Sequence, residues 1–314
     1  MLPLPTRAEP APRRRPARPF LAALLHTRPR SWPVVAGHLA AGFLVATGPP
    51  AGEGLVWSLR LAGAGLLWAI CLNGGTLALN GAVDQDDGDV GYLDAPPPPP
   101  AGLAGAGIGL MAAGLLASLG LGRLGWIGPR FPPVYAACFV LSLLYSLPPV
   151  RLKARAGLDL LVNCLGYGAG TFLAGWAATG RPWSSSLAWA SLGLGFLFGA
   201  LYPLTQIYQI DADARQGIRT LAVRLGRRLT LRLALVAAGI AFLCLALAAR
   251  LARTDGAGWR PALLLIPGLL WFRILVPQMR RGGQDCGKRE MYRALQAWAI
   301  TDLAVVLALM PVAG

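Results

Sequence analysis

The sequence predicts an all-α, polytopic membrane protein of nine transmembrane helices, and three observations carry that prediction. Of its 314 residues, 55% are apolar and only 14% charged, with a mean hydropathy of +0.53, whereas soluble domains carry about 25% charged residues. The apolar residues gather in stretches of about 17 to 25, the length that crosses a hydrocarbon core roughly 30 Å thick. The basic residues fall unequally on alternate connections, as they do in membrane proteins of fixed orientation. A single large soluble core is therefore excluded, and so is a collagen-like chain, because the 40 glycines show no period of three.

Residues 1–30 come first. They are rich in proline and arginine, including Arg13, Arg14, Arg15 and Arg18, and lack the apolar core of a cleavable signal peptide. They read as a partly disordered cytoplasmic tail, and residues 31–314 as one membrane domain. Apolar stretches follow near 33–48, 55–79, 101–121, 131–147, 158–178, 187–206, 229–250, 261–277 and 291–311; the shortest also fit re-entrant segments. With the tail inside, 20 of the 29 basic residues lie on the inner side and seven on the outer, while Arg232 and Arg273 fall within spans. An omitted span would exchange the sides of every later connection, so the bias supports nine spans with a cytoplasmic N-terminus and the C-terminus outside.

The net charge of +15 is explained by this anchoring and by anionic lipid contact, so nucleic acid is not an expected partner. Five cysteines (Cys71, Cys138, Cys164, Cys244 and Cys286) form no CxxC pair, which argues against a disulfide framework or a zinc site. His26 and His38 are assigned to local hydrogen bonding or packing. Asp302, in the last span, fits either an acceptor contact or a structural hydrogen bond.

Acidic residues distribute differently. Asp84, Asp86, Asp87, Asp89 and Asp94 account for five of the 14 and occupy an inner connection with no basic residue. Asp211 and Asp213 follow the sixth span on the same side. If the second helix runs on, Asn80, Asp84 and Asp87 share one face at spacings of four and three, and Gly88 ends it so that Asp89 turns back toward the same space. Crowded oxygen ligands repel one another unless cations intervene, and Mg²⁺ combines one or two carboxylates with phosphate oxygens and waters. The plainer reading of the first run is a solvated connection; a second acidic pair at a corresponding place favours a metal-diphosphate site.

These elements resemble the UbiA superfamily of membrane prenyltransferases, whose signatures are Asn-xxx-Asp-xxx-Asp after the second helix and Asp-xxx-Asp after the sixth. Asn80 and Asp84 match the first two positions of the earlier element; the third falls on Gly88, flanked by Asp87 and Asp89. In the later element Asp213 matches the second carboxylate, the first falls on Gln209, and Asp211 lies between. Gly217-Ile-Arg219-Thr220-Leu-Ala-Val-Arg224-Leu-Gly226 and the basic run Tyr145 to Lys153 are also similar to family patterns. Pro96 to Pro100 stand where the family usually has an arginine; five prolines favour a stiff extended segment that braces the cap or serves as a rigid connector.

The resemblance implies a UbiA-like nine-helix bundle over residues 28 to 311, and Mg²⁺-dependent transfer of a prenyl group from an isoprenoid diphosphate to an aromatic or other lipophilic acceptor. It assigns Asp84, Asp87, Asp89, Asp211 and Asp213 to metal binding. Lys153, Arg151, Arg215 and Arg219 would hold phosphate oxygens, though each also fits an ordinary inside-facing topology charge. Asn80 would orient a metal ligand or bind diphosphate, and Gln209 would face the same group. Tyr145, Tyr202 and Tyr208 would face the allylic cation or simply anchor the interface, and Asn163 and Asp159 would shape the acceptor side. Two other activities use the same cavity: a UbiA-type terpene cyclase, and a lipid-binding protein that has lost catalysis. Membrane lipids are the expected surroundings, an inner membrane the expected location, and no dedicated protein partner is indicated.

Overall fold

The computed structural model describes residues 18–50, 54–85, 89–215, 217–252, 258–284 and 286–311. They form helices α1 (Pro19–His26), α2 (Trp32–Thr47), α3 (Gly54–Asp84), α4 (Leu103–Arg123), α5 (Phe131–Ser146), α6 (Leu158–Thr179), α7 (Ser185–Arg215), α8 (Leu221–Leu251), α9 (Leu265–Arg280) and α10 (Lys288–Leu309). Nine of these, α2 to α10, coincide with the nine apolar stretches. Seven are long and apolar enough to cross a membrane, while α2 and α5 have 16 residues each. Among the described residues there is no strand, only isolated backbone pairings of Val90 with Leu93 and of Arg155 with Arg219.

Local chemistry sets the ends. Prolines stand in the first turns of α1, α2 and α5, where a missing N–H costs nothing. Gly48 and Gly180 end α2 and α6 at φ 69° and 75°, a backbone that residues with a Cβ adopt at a cost. The sequence places the end of α3 at Gly88, but the helix stops at Asp84 with Gln85 left-handed at φ 50°. Helix α7 runs past its apolar stretch to Arg215 and so carries the second acidic element. Helix α8 starts at Leu221 and breaks at Gly226, φ 73°.

Leu55, Leu116, Leu243, Leu269, Phe272 and Leu303 are exposed, the outward apolar surface of a protein solvated by lipid. Because lipid is as apolar as leucine, helices associate through close backbone approach and polar ties. Helices α2 and α6 cross at Gly42 and Gly175, where a Cβ would lie 1.9 Å from the carbonyl oxygens of Phe172 and Leu39. Helices α3 and α4 cross likewise at Gly75 and Gly107. Three helices meet at His38, whose Nε2–H donates to the Gly168 carbonyl at 2.8 Å while Nδ1 pairs with Asp302 at 2.7 Å. Both residues expected to be local or ambiguous are thus one buried tie between α2, α6 and α10.

Two helices contain wide π-helical stretches, Leu67–Gly74 in α3 and Cys164–Gly170 in α6. Both border the space between the helices. Such turns recur at functional sites, and the carbonyl of Gly168 that receives His38 belongs to the second.

Candidate active site

A cavity of about 380 Å³ opens between α2, α3, α5, α6, α7 and α10. Its mouth is polar. Asn80 and Asp84, four residues apart at the end of α3, both face it, as helical spacing requires. Gln209 and Asp213 repeat that spacing at the end of α7 and also line it. Thr220 fixes the second element: its hydroxyl donates to Asp213 Oδ2 at 3.3 Å and accepts from the Val223 N–H at 3.4 Å.

Lys153 lies in the connection after α5. Its ammonium touches the Asp84 carboxylate and donates to Asn80 Oδ1 at 3.0 Å. Burial, reinforced by the positive charge of Arg28, pulls its pKa down to about 8 against the lift from Asp213; contact with Asp84 acts in the same sense as Asp213 and favours the charged amine. Arg151 donates to Asp84 Oδ1 at 3.3 Å, and its Nε is buried without an acceptor. Two cations therefore converge on one carboxylate.

The connection from Asp89 to Pro100 covers the mouth. Asp89, Val90 and Tyr92 line the cavity. Asp89 accepts from the Ala95 N–H at 2.9 Å and from Lys288 at 3.1 Å, and Lys288 also contacts Asp94. The Pro97 carbonyl bonds His26 Nε2 at 3.0 Å. The proline segment is thus tied to α1 through Pro97, and the residues before it to α10 through Asp89 and Asp94, which favours the bracing role that the sequence left open beside that of a plain connector.

Deeper in, the cavity is aromatic. Tyr167 and Phe198 stack at 5.5 Å, Phe198 and Tyr202 at 6.2 Å, and Trp298 meets Phe198 edge-on at 5.6 Å. The hydroxyls of Tyr145 and Tyr202 share a hydrogen bond of 2.9 Å. Tyr208 lies nearer the mouth.

Several expected site residues are elsewhere. Asp211 is two residues from Asp213, a spacing that turns a helical side chain to another face; its carboxylate is 79% exposed and pairs with Arg227 at 3.1 Å. Arg215 and Arg219 are exposed and do not line the cavity; Arg151 does not line it either, but reaches it through Asp84. Asp87 lies outside the described residues. Asp159 is fully buried but spends its oxygens on the Gly157 N–H at 2.7 Å and on Gln206, whose Oε1 accepts from the Ala222 N–H at 3.3 Å. It clamps α6 to α7 and α8, while Asn163 does line the cavity.

The profile of the UbiA prenyltransferase family matches residues 23–295. The chain belongs to that family. It is an integral membrane protein, as its long apolar helices also indicate. No curated protein matches it significantly in sequence. Among solved structures it is similar to a UbiA homologue from Archaeoglobus fulgidus bound to DMAPP and Mg²⁺, at 19% identity and a TM-score of 0.69, covering 91% of this chain and 99% of that one. The same homologue bound to GPP and Mg²⁺ gives a TM-score of 0.69 at 19% identity, covering 92% and 99%. A digeranylgeranylglyceryl phosphate synthase gives 0.68 at 13% identity, covering 93% and 98%. At these identities the likeness is one of fold.

Against the UbiA pattern, Gln209 occupies the first position of the later element, and Asp89, beyond the end of α3, is the described carboxylate nearest in sequence to Gly88. Among the described residues no three carboxylates, histidines or cysteines cluster tightly enough to cage a metal ion. The donors facing the mouth are nonetheless all oxygens, from Asp84, Asp213, Asn80, Asp89 and Gln209. Such a set suits Mg²⁺, which takes one or two carboxylates and completes its shell with phosphate and water.

Proposed function

We propose that this UbiA family member transfers a prenyl group from an isoprenoid diphosphate to an aromatic or other lipophilic acceptor within the membrane, with Mg²⁺ as cofactor. The observation that carries the reading is the convergence of Asp84, Asp213 and Lys153 at the mouth of an aromatic-walled cavity. Structures of one homologue of the same fold, bound to DMAPP and to GPP with Mg²⁺, support it.

In this reading Asp84, Asp213, Asn80 and Gln209 hold the metal-diphosphate group, with Asp89 closing it from the cap. Mg²⁺, when bound there, neutralises the charge that develops on the departing pyrophosphate. Lys153 and Arg151 aim fixed positive charge at the same oxygens, and the buried Nε of Arg151 has a donor to offer. Asp211, Arg215 and Arg219 take no part. The prenyl chain lies in the apolar interior, where burial is worth roughly 0.8 kcal/mol per CH₂. As the bond from carbon to oxygen breaks, Tyr202, Phe198 and Tyr167 present π faces to the allylic cation. The acceptor then supplies the new bond and loses a proton. The mouth faces the cytoplasmic side of an inner membrane, in line with the basic bias of the connections.

The test is turnover by solubilised protein with Mg²⁺, prenyl diphosphates of several lengths and a panel of acceptors, followed by pyrophosphate release and product mass. Asp84→Ala and Asp213→Ala are each expected to lower turnover at least about 100-fold, the scale of losing a transition-state electrostatic group. Wild-type activity in both variants would refute the site. A cyclic terpene formed without acceptor would reassign the reaction to a cyclase, and binding without pyrophosphate release would reassign the protein to lipid binding.

A further inference from the structure

Helix α1 falls within the region that the sequence marks as a tail, and it carries three large apolar side chains on its outside. Phe20 is 81% exposed, and Leu21 and Leu24 are exposed as well. Phe20 and Leu24, four residues apart, share one face, whereas Ala22 and His26 share the opposite face and are buried. On a membrane span such a face is simply covered by lipid. Helix α1 is no span, since its eight residues extend only about 12 Å, less than half of a hydrocarbon core.

Its place in the fold shows what covers that face. On the inner side, His26 rests on Gly81, where a Cβ would lie 2.6 Å from its Nδ1. Gly81 follows Asn80 and lies just past the apolar stretch 55–79. At the other end, the Trp32 indole N–H donates to the Thr27 carbonyl at 3.1 Å, and the apolar stretch of α2 begins at residue 33. Both neighbours therefore put α1 where hydrocarbon gives way to head groups, the depth at which a short helix with an apolar face lies flat in a bilayer. Residues 1–18 carry Arg7, Arg13, Arg14, Arg15 and Arg18 against Glu9 alone, and arginines clustered beside such a helix are drawn to anionic lipid.

The buried face of α1 leads to the cap. A carbonyl only accepts, so His26 Nε2–H donates to that of Pro97 at 3.0 Å, and Arg30 in the following link lies 3.8 Å from Asp94. Lipid on one side of α1 is thereby joined to the cover of the mouth on the other.

We propose that α1 is a surface anchor that lies in the plane of the bilayer, sinks Phe20, Leu21 and Leu24 into the leaflet on the mouth side, and through His26 holds the proline segment over the cavity. Its partner is a lipid surface rich in anionic phospholipid. The inference is independent of what the cavity takes up. Without lipid beneath it, α1 loses the fixed point from which His26 reaches Pro97, so membrane composition sets how firmly the cap is held.

The first experiment introduces Phe20→p-benzoylphenylalanine, Leu24→p-benzoylphenylalanine or, as a lipid-facing reference on α9, Phe272→p-benzoylphenylalanine into the full-length protein. Each variant is irradiated in nanodiscs of phosphatidylcholine with or without phosphatidylglycerol, and adduct masses are read. Lipid adducts are expected at all three positions, with phosphatidylglycerol enriched at 20 and 24 above its share of the bilayer. Labelling at 272 but not at 20 or 24 puts α1 in water and overturns the proposal. Crosslinks from position 20 to a second copy overturn it by making the face a protein interface, and adducts that follow bulk composition overturn the anionic preference. Hydrogen exchange at the Val90, Leu93 and Ala95 amides, which are hydrogen-bonded within the cap, reads the coupling. His26→Ala, and separately Phe20→Ser with Leu24→Ser, should speed that exchange about 2- to 10-fold, the equivalent of one lost hydrogen bond, with amides of α8 unchanged. Unchanged cap exchange in both overturns the coupling. Should either variant not fold, the wild type decides: its cap must exchange more slowly with phosphatidylglycerol present, and equal rates overturn the proposal.

Discussion

Asp84→Asn, Lys153→Met and the double variant separate what the ion pair does for the fold from what it does for the chemistry. The two side chains are 11% and 8% exposed. That lies near the buried limit, where removing one partner of an ion pair costs about 3–5 kcal/mol, and far from the exposed limit of about 0–1 kcal/mol. Two features soften the loss: water reaches the mouth, and Asn80 still accepts from Lys153 at 3.0 Å. Arg151, with its side chain 36% exposed, adds little. Each single variant is therefore expected to lose about 2–3 kcal/mol. The double variant removes both charges and strands neither, so its loss should fall short of the sum by about 1.5–3 kcal/mol. At about 2 °C per kcal/mol, thermal unfolding in detergent would show single drops of about 4–6 °C and a double drop smaller than their sum by about 3–6 °C. Turnover should stay lost in all three, because the restored stability returns neither the carboxylate nor the ammonium. Additive losses of stability would refute the buried pair; recovered turnover in the double variant would refute its place in the site.

Two further outcomes follow from the geometry. Gly42→Ala or Gly175→Ala drives a methyl into a backbone carbonyl at 1.9 Å, which neither helix can yield without separating. Each should cost about 3 kcal/mol or more, read as loss of monodisperse protein on size exclusion. Asp211→Asn and Arg227→Gln break an exposed pair worth about 1 kcal/mol at most, so turnover should remain within about twofold; a large loss would return Asp211 to the site.

Much of this architecture is written in composition and spacing. Each of the nine apolar stretches became a helix of the bundle, and seven of those helices are long and apolar enough to cross a membrane, the shortest stretches being the ones whose length leaves the span count open. The interval of four from Asn80 to Asp84 correctly predicted a shared face, because helical phase is a local property. The same rule, applied backward from Asp213, selects Gln209 and rejects Asp211, so the signal was present even though charge pointed to the nearer carboxylate. Arg28 was not legible in that way. It lines the cavity from the link between α1 and α2, yet it sits beside the arginines of the N-terminal region, and what sets it apart is a left-handed backbone at φ 52°. Nor does composition reveal that His38 and Asp302, 264 positions apart, meet across the bundle. Pairings of that range depend on how helices dock, which periodicity does not encode.

The wide turn in α3 lies between its first half, Gly54–Leu66, and the ten residues that end in Asn80 and Asp84. Each residue of a helix advances its rotation by about 100° and its length by about 1.5 Å. Deleting one residue from the regular turns between Gly75 and Leu79 would therefore shorten the span negligibly, yet swing Asn80 and Asp84 by more than a quarter of a revolution relative to the wide turn before them. The lipid would tolerate the change; the geometry of the proposed site would not. A bilayer constrains how long this helix is and how oily, but not its angular register, so an insertion or deletion here acts as a dial that re-aims the chemistry while the membrane anchor stays in place.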